Sequence, residues 1–120
     1  MNTEVKKSNK DKDLILVRRA KRGDYKAFDL LVLKYQSRII GLAMKFVKDI
    51  QTAEDVAQES FIKAYKSLDS FREESAFYTW LYRISVNTAK NYLAAQRRRP
   101  MDVELDLQNP EQYALHAKLR

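Results

Sequence analysis

The chain has 120 residues, 45% of them apolar, and carries 23 Lys and Arg against 16 Asp and Glu, a formal net charge of +7. That length supports one domain with its own core rather than two, and the absence of cysteine excludes a disulfide framework and a cysteine-ligated zinc site, as suits a reducing cytoplasm. No apolar run approaches the roughly 20 residues needed to cross a bilayer, and the Lys-rich N-terminus has no hydrophobic stretch behind it, so neither membrane insertion nor export by a signal peptide is expected.

Two Gly and two Pro leave little punctuation for hairpins, while Lys, Leu, Ala and Glu favour helix. The fold class is therefore all-α, a bundle of about four helices. Residues 1–12 are polar and charge-mixed and are expected to form a disordered tail. Asp13 stands where a cap would open a short helix from Leu14 to Arg22, which Gly23 stops as a residue just past a helix end. Asp24 restarts the helix. From Tyr25 to about Lys48, Phe28, Leu31, Tyr35, Ile39, Leu42 and Phe46 recur at helical steps and mark one long amphipathic helix.

Thr52 and Asp55 have the spacing of a cap and its third-position partner and open a third helix to about Leu68, with Ala57, Phe61, Ala64, Tyr65 and Leu68 as its buried face. Asp69 to Glu74 reads as a loop broken by Phe71, after which Ser75 caps a fourth helix that reaches about Arg98 and ends at Pro100. Residues 100–108 form an acidic linker. Asn109, Pro110 and Glu111 supply a cap, a proline and an acid for a last helix that has just begun at Arg120.

The positive charge is unevenly placed. Residues 1–26 hold nine basic and four acidic side chains, whereas residues 49–59 hold Asp49, Glu54, Asp55 and Glu59 with no basic partner. Blocks of opposite sign suggest two surfaces for two partners, the basic one suited to nucleic acid. Between Ser75 and Met101 there is no acid, yet Arg83, Lys90, Arg97, Arg98 and Arg99 stand there among Phe77, Tyr78, Trp80, Tyr82 and Tyr92. Cations free of carboxylates hold a polyanion, and aromatic faces hold unpaired bases.

At about 100° per residue, Arg83, Asn87, Lys90, Ala94 and Arg97 fall on one strip of the fourth helix. Trp80, Leu81, Ile84, Thr88 and Tyr92 flank it on one side and Tyr82, Val86, Ala89 and Leu93 on the other. Within the strip an amide such as Asn87 can pair with a base edge, whereas Lys and Arg mostly hold phosphates. On the third helix, Asp55, Gln58, Glu59, Ile62 and Lys66 share an exposed face. Acids near a helix N-terminus complement the macrodipole, but Gln58 beside Glu59 with Ile62 at the centre also fits a docking surface with an apolar middle and a polar rim. Catalysis is disfavoured, since His116 is the only histidine and no Gly-rich phosphate loop is present. The residues alone leave open a single-strand nucleic-acid binder and a protein-interaction module.

Beyond periodicity, the run Ala53-Glu54-Asp55-Val56-Ala57-Gln58-Glu59-Ser60-Phe61-Ile62-Lys63-Ala64-Tyr65 resembles region 2 of group IV, extracytoplasmic-function, bacterial RNA polymerase sigma factors. So do Gly23-Asp24, Ala27-Phe28, Lys34-Tyr35-Gln36, Ala76-Phe77-Tyr78-Thr79-Trp80-Leu81-Tyr82-Arg83-Ile84 and Asn87-Thr88-Ala89-Lys90-Asn91-Tyr92-Leu93. The similarity covers roughly residues 13–99, and the wording is nearest the envelope-stress sigma-E branch. It implies a non-enzymatic, cofactor-free, cytoplasmic sigma factor. Asp55, Gln58, Glu59, Ile62 and Lys66 would dock on the clamp helices of the polymerase β′ subunit.

The loop after the third helix and the fourth helix would take the non-template strand of the promoter −10 element and capture one flipped base. Carried over position by position, Phe71, Ser75, Phe77 and Asn87 would line or support that base, and Arg72, Tyr78 and Asn91 would belong to the same DNA-binding surface. Arg83, Lys90, Arg97, Arg98 and Arg99 would hold phosphates. Trp80 is read as mainly structural, and Glu73-Glu74 put negative charge near the base. An anti-sigma partner is expected from the family. Residues 109–120 resemble only the first helix of region 4, so the chain alone is expected to lack −35 recognition.

Overall fold

The computed structural model describes residues 8–97. Among them are four α-helices: α1 (Asn9–Lys21), α2 (Tyr25–Val47), α3 (Ile50–Lys66) and α4 (Phe77–Arg97), with a short 3-10 turn at Leu68–Ser70. The acidic linker and the region 4-like helix lie outside the described residues, as do Arg98, Arg99 and residues 1–7.

The long helix α2 is the spine. Phe28, Leu31, Tyr35, Ile39 and Leu42 are buried along it as the spacing predicts, while Phe46 is half-buried and Val47 takes the inward position at the last turn. Each such side chain contributes about 1.5–3 kcal/mol through burial. α1, α3 and α4 all pack on this face. Val17, Phe61, Phe71, Phe77 and Leu81 complete one core cluster, and Ala43, Val47, Ala53, Val56 and Ala89 a second. The buried Ser60, Ser85 and Thr88 hydroxyls donate to the carbonyls of Val56, Leu81 and Ile84, so polar groups enter the core already satisfied.

Four local expectations are corrected. Residues 8–12 are not tail: Ser8 is the cap of α1, its hydroxyl accepting from the Asp11 amide at 3.1 Å. Asp13 lies inside the helix, buried, where it accepts from Lys34 Nζ at 2.6 Å and from the Tyr35 hydroxyl. α3 opens at Ile50, because Asp49 accepts from the Thr52 amide at 2.9 Å and occupies the cap that spacing gave to Thr52. α3 also closes earlier than predicted, at Lys66, and Tyr65 is exposed, edge-on to Phe28 at 5.1 Å.

The fourth correction is at α4. Ala76 supplies the first helical carbonyl, accepting from Thr79 and Trp80, while the Ser75 hydroxyl donates to Ala76 and caps nothing. The turn at Gly23 is as predicted. Its φ is +99°, and the amides of Gly23 and Asp24 donate to the carbonyls of Ala20 and Arg19, which closes α1 with two bonds.

Candidate nucleic-acid interface

The segment from Phe71 to Ala76 leaves the 3-10 turn and enters α4, and with the first turns of α4 it encloses a cleft of about 350 Å³. Its lining is Ser70, Phe71, Arg72, Glu74, Ser75, Trp80 and Arg83. Four predicted residues, Phe71, Arg72, Ser75 and Arg83, therefore meet in one place. Phe71 and Phe77 are almost wholly buried and stand edge-on at 6.0 Å, so Phe77 supports the floor from behind. Trp80, read from the sequence as mainly structural, does both jobs: it packs 5.1 Å from Phe71 and lines the cleft.

Beyond Arg83 the strip continues in solvent. Asn87, Lys90 and Arg97 are exposed, and the buried face of α4, with Phe77, Leu81, Ser85, Thr88 and Ala89, lies behind it. Arg72, Arg83, Lys90 and Arg97 form no ion pair among the described residues. Asn91 is exposed too, but eight residues at about 100° each carry it some 80° round the helix from Arg83, off the strip. Tyr78 also turns away from the cleft. It stacks on Tyr35 at 5.0 Å, and the Arg38 guanidinium lies 4.1 Å from its ring centre.

The N-terminal basic block behaves differently from its composition. Arg18 makes a two-pronged pair with Glu73, with Nη2 at 2.7 Å from Oε1 and Nε at 3.2 Å from Oε2. Arg19 pairs with Asp24 at 2.7 Å, and Lys21 Nζ donates to the Phe71 carbonyl at 2.7 Å. These cations are spent inside the molecule. The Arg18 hydrogen bond holds the Glu73 carboxyl below its ordinary range, and of the acidic pair only Glu74 lines the cleft. Glu73 and Phe71 lie 55 and 50 residues from Arg18 and Lys21, which leaves no local pattern, and sequence reasoning missed both contacts.

The second predicted face lies on α3. Gln58, Ile62 and Lys66 are exposed, Asp55 and Glu59 half-buried. With Tyr25, Phe28, Val32 and Gln36 of α2, Asp55, Gln58, Ile62 and Lys66 wall a groove of about 970 Å³. Glu59 stands aside from it, paired with Lys63 at 3.3 Å and accepting from Tyr92 at 3.4 Å. The α2 wall escaped prediction, although Tyr25 at 70% exposure is an apolar ring left in water at the helix start.

Residues 31–99 match the family described as Sigma-70 region 2. The chain is 59% identical over 101 residues to the RNA polymerase sigma-H factor of Pseudomonas aeruginosa, covering 84% of this chain and 52% of that protein. It is 56% identical over 110 residues to the ECF RNA polymerase sigma-E factor of Haemophilus influenzae, covering 90% and 57%, and it thus spans about half the length of these relatives. Among solved structures it resembles an engineered region 2 of sigmaE, in complex with GTAAAA, at 55% identity and a TM-score of 0.69, covering 73% of this chain and 92% of the other. The chain belongs to the Sigma-70 region 2 family.

Proposed function

We propose that this chain acts in transcription initiation as the region of a sigma factor that joins core RNA polymerase to the promoter −10 element. The carrying observation is a cleft floored by Phe71 and Trp80 and rimmed by Arg72, Ser75 and Arg83, which opens onto a strip of cations without ion pairs. Its volume of about 350 Å³ lies within the range of small-ligand pockets, about 300–1,000 Å³. A base flipped out of a duplex costs a few kcal/mol in lost stacking, and an aromatic floor with polar rim groups returns energy of that order. Opened DNA is then captured without ATP, and the protein is no enzyme.

Asn87 reads a neighbouring base edge while Arg83, Lys90 and Arg97, followed by Arg98 and Arg99, hold phosphates. The groove between α2 and α3, with Asp55, Gln58, Ile62 and Lys66 on its rim, takes the β′ clamp helices in the cytoplasm. An anti-sigma factor belongs to the same picture as the regulator that competes for these surfaces.

The test is fluorescence anisotropy of the whole chain with a labelled single strand containing GTAAAA, the sequence bound by the structural relative, against a scrambled strand. Asn87→Ala is expected to weaken the GTAAAA strand by about ten-fold and the scrambled strand little, whereas Lys90→Ala weakens both. Equal losses for the two variants would remove Asn87 from base reading, and no preference in the parent chain would leave a general single-strand binder or a protein-interaction module. In a second arm, Gln58→Ala with Glu59→Lys should abolish co-elution with core polymerase while helicity is kept.

A further inference from the structure

The Phe71–Ala76 segment has no regular structure of its own, yet it forms one wall of the cleft. Within the segment the Ser75 hydroxyl reaches only the neighbouring Ala76 carbonyl. Phe71 packs on Phe77 and Trp80 of α4, but the side-chain hydrogen bonds that reach the segment from another helix come, among the described residues, from one place, the last turn of α1. Lys21 Nζ donates to the Phe71 carbonyl at 2.7 Å and lies 5.8 Å from the Phe71 ring centre. Arg18 grips both oxygens of Glu73 with two donors of its guanidinium fork. Glu73 sits at φ +62°, a left-handed conformation that a side chain with a Cβ disfavours, so this bend needs holding.

Resting on the sigma reading above, we infer that the last turn of α1 is a clamp for the recognition loop. Arg18 and Lys21 are positioning residues that set how well the cleft discriminates its base, without touching DNA themselves. The pair is poorly suited to a merely structural role. Arg18 is 56% exposed, and exposed pairs contribute little to global stability. What the pair does fix is local: the strained Glu73 backbone two residues from Phe71, and a carboxylate that would otherwise face the same polyanion as Glu74.

A direct phosphate role for Arg18 makes opposite predictions. If electrostatics alone mattered, removing the acid in Glu73→Ala would tighten DNA binding. If the clamp matters, Glu73→Ala loosens the loop and weakens binding of the GTAAAA strand. Arg18→Lys keeps the charge and loses the fork, so a phosphate contact would survive it and the clamp would not survive intact.

The experiment uses the whole chain with the same labelled strands, and also without DNA, where acrylamide quenching of Trp80, the single tryptophan, reports exposure of the cleft floor. Arg18→Ala and Glu73→Ala are each expected to lower the preference for GTAAAA over the scrambled strand by about five-fold, and the double variant no further, because the two act as one unit. Arg18→Lys should fall between, and Trp80 quenching should rise in both single variants. Tighter binding by Glu73→Ala, equal loss on both strands for Arg18→Ala, summed losses in the double variant, or unchanged Trp80 quenching would each overturn the clamp. Failure of the sigma reading shows separately: the parent chain would then prefer neither strand, whatever Trp80 does.

Discussion

Asp13 is the residue whose environment departs furthest from its type. A carboxylate 1% exposed inside a helix is costly unless paired, and here Lys34 and the Tyr35 hydroxyl both donate to it while Asn9 donates to the Tyr35 oxygen at 3.3 Å. The network ties α1 to the middle of α2. Asp13→Ala strands a buried hydroxyl and a half-covered ammonium, and is expected to cost about 2–3 kcal/mol, read as a lower urea midpoint. Tyr35 carries the pH dependence of the same contact. Burial first, and then the Asp13 hydrogen bond, raise its pKa above the ordinary 10.0. A group whose folded pKa is raised contributes stability that is complete below its unfolded pKa and is lost as pH climbs beyond it. Stability should therefore fall above pH 10 in the parent chain, and Tyr35→Phe should remove that contribution.

At the scale of helices, the ends decide most of the differences between sequence pattern and structure. The apolar face of α2 was legible because a 3.6-residue period is a property of one segment, whereas on α4 the period placed Leu81, Thr88 and Ala89 inward but not the buried Ser85, and Tyr82 of the predicted flank is exposed. The cap of α1 was not: Asp13 has the residue type and position of a cap, and only its partners on α2, 21 and 22 residues away, show that its carboxylate is already spent. Asp49 and Thr52 were locally equivalent, and the bond from the Thr52 amide to Asp49 chose between them.

Two helix ends use the same left-handed turn with different residues: Gly23 at φ +99° after α1, and Lys48 at φ +62° after α2, whose amide donates to Met44 at 3.3 Å. Glycine takes this conformation freely, whereas other residues are strained by about 1–2 kcal/mol. Gly23→Ala should accordingly destabilise by about 1 kcal/mol. Lys48→Gly should stabilise by somewhat less, since it also gives up a favourable cation at the helix C-terminus worth about 0.3–1 kcal/mol. Thermal unfolding of the two variants checks the opposite signs. Loss of stability in Lys48→Gly would show that its side chain matters more than the turn.

Over the whole molecule, counting charges along the sequence and counting them on the fold give different DNA-binding surfaces. The exposed strip on α4 was legible because its residues sit on one helix, whereas the pairing of part of the basic surplus of residues 1–26 was not. Arg18, Arg19 and Lys21 are consumed by Glu73, Asp24 and the Phe71 carbonyl, and Lys34 by Asp13. Salt dependence separates the two counts, since each phosphate neutralised on a single strand steepens log K against log salt by about 0.7. Arg83, Lys90, Arg97, Arg98 and Arg99 predict a slope of about −3.5, or roughly a hundred-fold loss of affinity between 50 and 200 mM salt. Lys90→Ala should make the slope shallower by about 0.7, while Arg19→Ala, though it removes the same formal charge, should leave it unchanged. Arg19 lies on α1 in a closed pair with Asp24, whose carboxyl it holds below the ordinary range. If Arg19→Ala flattens the slope as much as Lys90→Ala does, the polyanion also runs over the N-terminal block, and the α4 strip is not its whole path.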